Sequence, residues 1–442
     1  MKFINRLWSF VLRLSPMRLG LLIFVTAFLV RLAIILVFHP YDDMTRLELE
    51  RTAISLATTG VFGNPYAVPT GPTAHVSPGY PLILAGLFRI FGTGTVAQIM
   101  KELLAAVVSS LLCAMVPWLA SVFRLDHRAG LVAGFVCALG PAKPLVEIQG
   151  DWETPYTALF LMLISIATVR LWRKPLLSGR KAAAYGFLWG VALLFVGAFL
   201  PLFLIFMAAG AYFCRAAGLS RYARFAAVEL VVTALCLSPW IIRNYYALGA
   251  PVVTRTNFGL EMRVSNNDFA TPNERLNDGL GVYRRYHPLQ NPEQALRVRQ
   301  MGEVAYNKQE LTNAKQWIRT HPARFLQLCL GRAREFWFFP DRTSPAKTAY
   351  LDLIGALGFV GLILVLRRQS LSGIVLLVIL LVYPLPNYVV HVGLRQRFPL
   401  DWMLTLLSVT AIVAFLGRER SAPQPYTEAA VVSRSSSAAA GS

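Results

Sequence analysis

The chain of 442 residues is 55% hydrophobic and only 15% charged, and its formal net charge is +20. In soluble proteins roughly a quarter of all residues are charged, so this composition excludes an ordinary soluble enzyme or binding domain. The lysines and arginines lie in short clusters between long apolar runs instead of in one basic patch, which argues against nucleic acid as a partner.

Apolar runs of about 18 residues or more recur along the chain and predict an all-α polytopic membrane protein. The basic residues 1–18 precede the first run, 19–38. No small-x-small cleavage site lies before Asp42, so we interpret this run as a retained signal-anchor whose N-terminus is cytoplasmic. The first loop, residues 39–94, then lies outside the cell membrane.

The first loop opens with two adjacent carboxylates, Asp42 and Asp43. The stretch 44–59 after them predicts a helix, which Gly60 ends. Acidic groups held just outside a hydrocarbon layer are the first place to look for chemistry. The alternative is that both aspartates only cap the helix, which is a common and stabilising arrangement.

Two further carboxylates, Glu48 and Glu50, lie on the predicted helix, and His75 follows in a loop rich in proline and glycine. Residues at i and i+2 diverge on a helix, so at most one of the two glutamates faces a site. The other interpretation is a solvated face shared with Arg46 and Arg51. His75 is either a ligand for phosphate or acceptor, or a structural loop residue.

The apolar run 79–91 is short for a span and predicts a half-helix or a surface helix. If it does not cross, the basic clusters of the later loops fall on the same side as the N-terminus, as the positive-inside rule requires. We therefore expect about ten transmembrane helices with both termini inside. They lie near residues 19–38, 95–121, 128–145, 153–171, 183–198, 200–214, 222–241, 349–366, 371–389 and 398–416.

Between a transmembrane module (19–241) and the C-terminal transmembrane helices (349–416) lies one long polar segment, residues 242–348. Counting these spans from a cytoplasmic N-terminus places the polar segment outside the membrane. There we expect it to pack on the membrane part as a lid. Its second half predicts two amphipathic helices, 293–317 and 321–338, separated at His321-Pro322. Residues 417–442, which are rich in serine and alanine, predict a disordered cytoplasmic tail.

Nothing in the sequence indicates a metal or another cofactor. The five cysteines are odd in number and mostly lie in apolar runs. This pattern indicates small hydrophobic residues and not a disulfide framework or a metal site. The six histidines are scattered without the spacing of metal ligands, and neither a Walker loop nor a glycine-rich dinucleotide turn is present.

Five stretches together resemble one known family. They are DDMTRLELERTAISLATTGVFGNP and PTAHVSPGYPLILAGLFRIFG in the first loop, then GDWETPYTALFLML, SPWIIRNYYALGAPVVTRTNFGLEMRVSNN and HVGLRQRFPLDWMLTLL. In this order they are similar to bacterial members of the protein O-mannosyltransferase-like family, which includes dolichyl-phosphate-mannose-protein mannosyltransferases and aminoarabinose transferase-like enzymes. The resemblance implies the C-type glycosyltransferase superfold, with juxtamembrane helices and a loop domain outside the membrane.

The resemblance also implies an inverting glycosyltransferase that uses a polyprenyl-phosphate sugar and no nucleotide sugar. An aspartate of the first loop would be the general base, and we favour Asp43 over Asp42. The family often has a tyrosine a few positions after its acidic residue, whereas this chain has Leu47 or Leu49 there. That departure leaves open which of the two aspartates corresponds to the base.

Further candidate substrate ligands lie at the ends of predicted spans. Cationic side chains must stabilise the phosphate that departs, and Arg243, Arg395 and Arg397 suit this role. Arginines at such positions also anchor helices at lipid headgroups, which is the alternative for all three. Glu153 either caps the span that it begins or forms a hydrogen bond to a loop or substrate in the cavity.

The sequence thus predicts an integral glycosyltransferase of a bacterial inner membrane, with membrane lipids around it and its active site facing the periplasm. Its partners would be a polyprenyl-phosphate-linked sugar donor and an acceptor that is a protein, a lipid or a glycan. One rival is a transporter or flippase of lipid-linked sugars, which would place paired charges deep in several spans and show repeated halves. Another is a polysaccharide polymerase or ligase, and an inactive scaffold of the same fold is a third.

Overall fold

The computed structural model describes residues 15–42, 46–140, 152–338 and 344–417. These residues form nineteen α-helices joined by loops and short 3₁₀ turns, and among them there are two isolated β-bridges but no strand. The predicted all-α architecture is therefore confirmed. Residues 1–14 and the predicted tail beyond 417 lie outside the described part of the chain.

The helices fall into three groups along the chain. The first group comprises α1 (Pro16–Phe38), α2 (Glu48–Thr59), α3 (Gly79–Phe91), α4 (Thr95–Val122), α5 (His127–Leu139), α6 (Thr154–Arg173), α7 (Gly179–Phe195), α8 (Leu200–Phe213) and α9 (Leu219–Leu248). The polar segment then forms α10 (Phe258–Ser265), α11 (Glu274–Gly279), α12 (Val282–Tyr286), α13 (Pro292–Met301), α14 (Glu303–Thr320) and α15 (Pro322–Trp337). The last group comprises α16 (Pro345–Arg368), α17 (Ser370–Val382), α18 (Leu385–Val389) and α19 (Leu394–Gly417).

Seven stretches of the described chain are long and apolar enough to cross a membrane. They are α1, α4, α6, α9, α16, α19 and the stretch Ser370–Val389, which holds α17 and α18. At the other three predicted spans the described helices α5, α7 and α8 have 13, 17 and 14 residues, fewer than the ~20 that a simple crossing needs. Helix α3 has 13 residues, which agrees with the predicted half-helix or surface helix.

Helix α1 shows how these sequences separate lipid-facing from protein-facing surface. Its buried residues recur at every fourth position and form one stripe, while the rest of the helix is largely exposed. Ser15 caps the helix by accepting a hydrogen bond from the Arg18 amide. Arg31 lies on the buried stripe and donates to Ser109 Oγ of α4 over 2.7 Å, so its charge is turned away from lipid.

Close helix crossings depend on glycine. Gly186 of α7 lies against the backbone of Glu229 on α9, and Gly361 of α16 lies against the Leu407 carbonyl of α19. A Cβ atom at either glycine would overlap the opposite backbone. Small residues of this kind let membrane helices approach until van der Waals contact is extensive.

Between Leu49 and Tyr80, the first loop packs between the membrane helices and the polar segment. On one side Leu49, Phe62 and Tyr80 belong to a hydrophobic cluster that includes Trp240 of α9. On the other side Tyr66 belongs to a cluster formed by α10, α13 and α14 of the polar segment. The loop backbone therefore has a rigid support on both sides, which fixes the side chains that it carries.

Two predicted helix boundaries are wrong. Helix α2 begins at Glu48 and not at residue 44, and its N-cap position is Leu47, so Asp42 does not cap it. The predicted helix 293–317 is broken at Gly302, whose φ of 82° requires a residue that tolerates the left-handed region. The break at His321-Pro322 and the end of α2 at Gly60 are confirmed.

Candidate functional site

Asp42, the first of the two adjacent aspartates, lies four residues after the end of α1. Asp42 closes a short 3₁₀ helix, Pro40–Asp42, and its side chain is 65% exposed, with Oδ2 3.8 Å from Nδ1 of His39. Asp43 lies outside the described residues. An exposed carboxylate can accept a proton from a substrate, so Asp42 stays a candidate general base.

Glu48 and Glu50 are both buried, so the interpretation of a solvated helix face is wrong. Glu50 points at α4, where its carboxylate accepts a hydrogen bond from Gln98 over 2.6 Å and pairs with Lys101 at 3.3 Å. Glu48 points at the polar segment, with Oε1 3.6 Å from Nε2 of His287. As the helical spacing predicts, the two glutamates face different partners.

His75 lies in the interior of the first loop and is only 2% exposed. Its Nδ1 is 2.9 Å from the Tyr66 hydroxyl, and its ring centroid is 6.0 Å from that of His287. Burial, together with the neighbouring His287, lowers the pKa of His75 to about 3. The ring is therefore neutral near pH 7, and it can serve as a hydrogen-bond or metal ligand but not as a cation for phosphate.

His287 follows α12 and is 4% exposed. Its Nδ1 accepts a hydrogen bond from the Leu289 amide over 3.1 Å, so Nε2, which faces Glu48, carries a proton. One ligand atom each from Glu48, His75 and His287 lies within 4.8 Å of the other two, which makes this trio able to hold a metal ion. The sequence does not indicate that these three residues meet, because the two histidines are far apart along the chain.

A second carboxylate–imidazole pair lies beside this trio. Glu261, in the first turn of α10, has Oε2 3.3 Å from Nδ1 of His391. Burial alone would raise the pKa of Glu261, but the contact with His391 and the nearby His287 lower it well below its usual range. Glu261 is therefore ionised near neutral pH, and its charge also acts on His75.

Arg395, in the first turn of α19, connects several parts of the chain. Its guanidinium lies 3.1 Å from Nε2 of His391 and 3.3 Å from Oε1 of Glu274. It also lies 3.6 Å from the centre of the Trp152 ring, close enough for a strong cation–π contact. About a quarter of its side chain stays exposed, which leaves this cation accessible to an anion.

Glu153 precedes the first residue of α6 but makes no capping hydrogen bond with its side chain, so the interpretation as a cap is not supported. Its Oε2 is buried and has no hydrogen-bond partner among the described residues. The negative charge of Glu153 acts on Arg395. A buried carboxylate oxygen beside this cation is available to a polar ligand.

The other two predicted arginines hold the protein backbone. Arg243 donates to the carbonyls of Thr73 and Phe62 and thereby ties the first loop to α9. Arg397, although only two residues from Arg395, is 1% exposed. It donates to the carbonyls of Trp337 (3.0 Å) and Leu351 (2.6 Å), which braces α15 and α16 against α19.

A further buried carboxylate locks the first loop to the polar segment. Glu303, the first residue of α14, accepts hydrogen bonds from Thr73 Oγ1, from the Ala74 amide (2.8 Å) and from Thr256 Oγ1 (2.5 Å). Burial raises the pKa of this carboxyl. Together with Arg243, Glu303 keeps residues 62–75 in one conformation.

The resulting polar cluster is continuous, and it draws on the first loop, the polar segment and the start of α19. Its members are Glu48, His75, Glu261, His287, His391 and Arg395. The structure thus brings three of the predicted site residues together, Glu48, His75 and Arg395, and adds three that were missed. Glu261 and His391 lie inside two of the stretches that carry the family resemblance, whereas no local pattern distinguishes His287.

Solved structures of known proteins share the polytopic helical fold of this chain, whereas comparisons of sequence find no relative. No protein-family model matches the chain, and no curated protein matches it. Three solved structures of the oligosaccharyltransferase of Archaeoglobus fulgidus do match.

The complex with Zn and sulfate has a TM-score of 0.53 and 17% identity, covering 90% of this chain and 50% of that one. The apo form has a TM-score of 0.54 and 15% identity, covering 90% and 51%. The complex of this enzyme, AglB, with an inhibitory peptide and a dolichol-phosphate has a TM-score of 0.52 and 15% identity, covering 92% and 52%. The chain spans about half the length of these structures, and it shares their polytopic membrane fold.

Proposed function

We propose that the chain is an integral membrane glycosyltransferase that moves a sugar from a polyprenyl-phosphate donor to an acceptor. The observation that carries the proposal is the polar cluster, which the first loop and the polar segment enclose beside the membrane helices. The fold supports it, because the solved structures that share this fold are oligosaccharyltransferases and one of them holds a dolichol-phosphate. The acceptor is a protein, a lipid or a glycan.

The donor phosphate would bind at Arg395. This guanidinium is partly exposed, whereas Arg243 and Arg397 are already used by backbone carbonyls. Trp152 fixes the guanidinium from one side, and a fixed cation stabilises developing negative charge better than a mobile one. Glu153 and Glu274 border the same place and would orient sugar hydroxyls through hydrogen bonds.

The chemistry then requires one base. The acceptor hydroxyl or amine attacks the anomeric carbon and loses its proton to Asp43 or Asp42, while the bond from this carbon to the phosphate oxygen breaks. The electron pair stays on the polyprenyl phosphate, whose added charge Arg395 stabilises. Attack from the side opposite the leaving group inverts the configuration of the sugar.

We place this reaction on the outer face of a bacterial inner membrane. The proposal follows from the basic clusters of the alternate loops, which the positive-inside rule assigns to the cytoplasm. The first loop and the polar segment are then periplasmic, and the donor lipid would lie in the outer leaflet beside α19.

The test is sugar transfer in proteoliposomes that contain the purified protein and a panel of radiolabelled polyprenyl-phosphate sugars. We expect one donor to be turned over, and we expect Asp43→Asn or Asp42→Asn to reduce turnover by at least about 10²-fold, the usual effect of removing a general base. The matched control is Asp278→Asn, which removes an exposed carboxylate of the polar segment. Wild-type turnover in both aspartate variants would refute the assigned base, and movement of labelled lipid without transfer would favour a transporter.

A further inference from the structure

Three side chains from distant parts of the sequence converge on one small volume beside the first loop. Glu48 belongs to the first turn of α2, His75 to the following loop, and His287 to the polar segment. They are 7%, 2% and 4% exposed, and one ligand atom of each lies within 4.8 Å of the others. Such burial shields the trio from water and brings two imidazoles and one carboxylate together.

From this geometry we infer that Glu48, His75 and His287 bind one divalent transition-metal ion, with Zn²⁺ as the best match. Two imidazole nitrogens and one carboxylate oxygen form a common zinc donor set that leaves a fourth position for water or another ligand. Imidazole ligands argue against Ca²⁺ and Mg²⁺, which prefer oxygen.

The distances suit a site that contracts slightly on binding. Zinc–ligand bonds of about 2.0–2.1 Å place tetrahedral ligand atoms roughly 3.3 Å apart. Glu48 Oε1 and His287 Nε2 are 3.6 Å apart, and all three ligand atoms lie within 4.8 Å of one another. Shifts of about 1 Å or less in each side chain therefore reach the coordination distance.

A neighbouring group orients His75 for coordination, whereas a contact of His287 must break. The Tyr66 hydroxyl at Nδ1 of His75 leaves Nε2 of that ring for the ion, which is the usual arrangement around metal-bound histidine. At His287, Nδ1 accepts the Leu289 amide hydrogen, so coordination through Nε2 must move the ring proton to Nδ1 and give up that contact. The site thus exchanges one hydrogen bond for three coordination bonds.

The bound ion would join the first loop directly to the polar segment, because its ligands come from both. This role does not depend on sugar transfer. The inference therefore stands or falls by metal binding alone, measured without any donor or acceptor present.

The first experiment uses the full-length protein in detergent, stripped with a chelator and titrated with Zn²⁺ by calorimetry, with metal content checked by mass spectrometry. We expect one Zn²⁺ per chain, and at least a tenfold weaker affinity in Glu48→Gln, His75→Gln and His287→Gln. The matched control is His321→Gln, which changes an exposed histidine of the same polar segment and should bind as the wild type does. Wild-type affinity in the three cluster variants would overturn the inference.

A second measurement uses the wild-type protein, so its result does not depend on whether the cluster variants fold. The wild-type protein loaded with Co²⁺ should show the visible absorption bands of a four-coordinate site with nitrogen and oxygen ligands, and Zn²⁺ should displace them. Chelation should also lower the thermal unfolding temperature of the wild type and of His321→Gln. Absence of both the Co²⁺ bands and the chelator effect in the wild type would refute the site.

Discussion

Glu50 of α2 and Lys101 of α4 form a buried ion pair, with Oε2 and Nζ 3.3 Å apart and both side chains less than 5% exposed. Gln98 donates to the other oxygen of the same carboxylate, and Lys101 also lies 3.7 Å from Glu102. This network fixes the start of α2, and hence Glu48, against a membrane helix. The position of Glu48 in the candidate site thus depends on a contact that lies outside the polar cluster.

Replacing one partner of this pair should destabilise the protein. Lys101→Met removes the buried cation that Glu50 and Glu102 share, and breaking a buried pair typically costs about 3–5 kcal/mol. We expect the free energy of unfolding in detergent to fall by about 3 kcal/mol. The double variant Glu50→Gln/Lys101→Met should recover part of this loss, and Arg89→Met, which changes an exposed cation, should lose little. A loss in Lys101→Met no larger than in Arg89→Met would contradict the prediction.

Arg395 and Arg397 should behave differently although they are two residues apart. Arg395→Gln removes the cation proposed to bind phosphate, so transfer should fall by about 10²–10³-fold, as for loss of one group that stabilises the leaving charge. Arg397→Gln removes the donors to the Trp337 and Leu351 carbonyls and should mainly lower the unfolding temperature. Donor kinetics in proteoliposomes and thermal unfolding, measured on both variants, separate the two effects. The assignment fails if Arg397→Gln loses transfer without losing stability while Arg395→Gln keeps it.

The buried carboxyl of Glu303, which holds the first loop against the polar segment, should make stability depend on pH. Because burial raises the pKa of this carboxyl above its ordinary value of about 4.5, the folded protein keeps a proton that the unfolded chain has already released. Stability from this group therefore declines as pH rises from 4.5 towards the folded pKa. Glu303→Gln cannot titrate and should show a weaker decline over that window, whereas Glu293→Gln, on an exposed site, should follow the wild type. Thermal unfolding across pH 4.5–8 checks this, and identical slopes in all three proteins would count against it.

The crossing of α16 and α19 should not tolerate a methyl group. A Cβ atom at Gly361 would overlap the Leu407 carbonyl, so Gly361→Ala must separate the helices and should cost about 1–3 kcal/mol. Gly86→Ala is the control, because a Cβ atom there meets nothing within 4 Å and alanine favours a helix over glycine. Equal unfolding free energies of the two variants in detergent would show that the crossing is looser than described.

Much of the fold could be predicted because helix formation in a membrane is encoded locally. Apolar runs long enough to span the hydrocarbon layer must become helices, since no water satisfies their backbone there. Gly60 ends α2 and Pro322 begins α15, as these two residue types predict. The break at Gly302 was missed because the polar pattern on both sides of it is compatible with one continuous helix.

The candidate site was predicted only in part. Arg395 and Arg397 look equivalent in sequence. In the structure, however, Arg395 is partly exposed beside Trp152, whereas Arg397 is buried against backbone carbonyls. Which side of α19 each arginine occupies is clear only once α15 and α16 are packed on that helix. Asp43 lies outside the described residues, so its role stays a prediction.

The sequence by itself determined the all-helical membrane architecture, the long polar segment and the acidic first loop, because periodicity, hydropathy and helix-breaking residues act over a few turns of chain. Only the tertiary structure decided that Glu48, His75 and His287 meet and that Glu50 pairs with Lys101. Those contacts join residues that are far apart along the chain. Their geometry arises from the packing of the first loop between the membrane helices and the polar segment, and no local pattern records it.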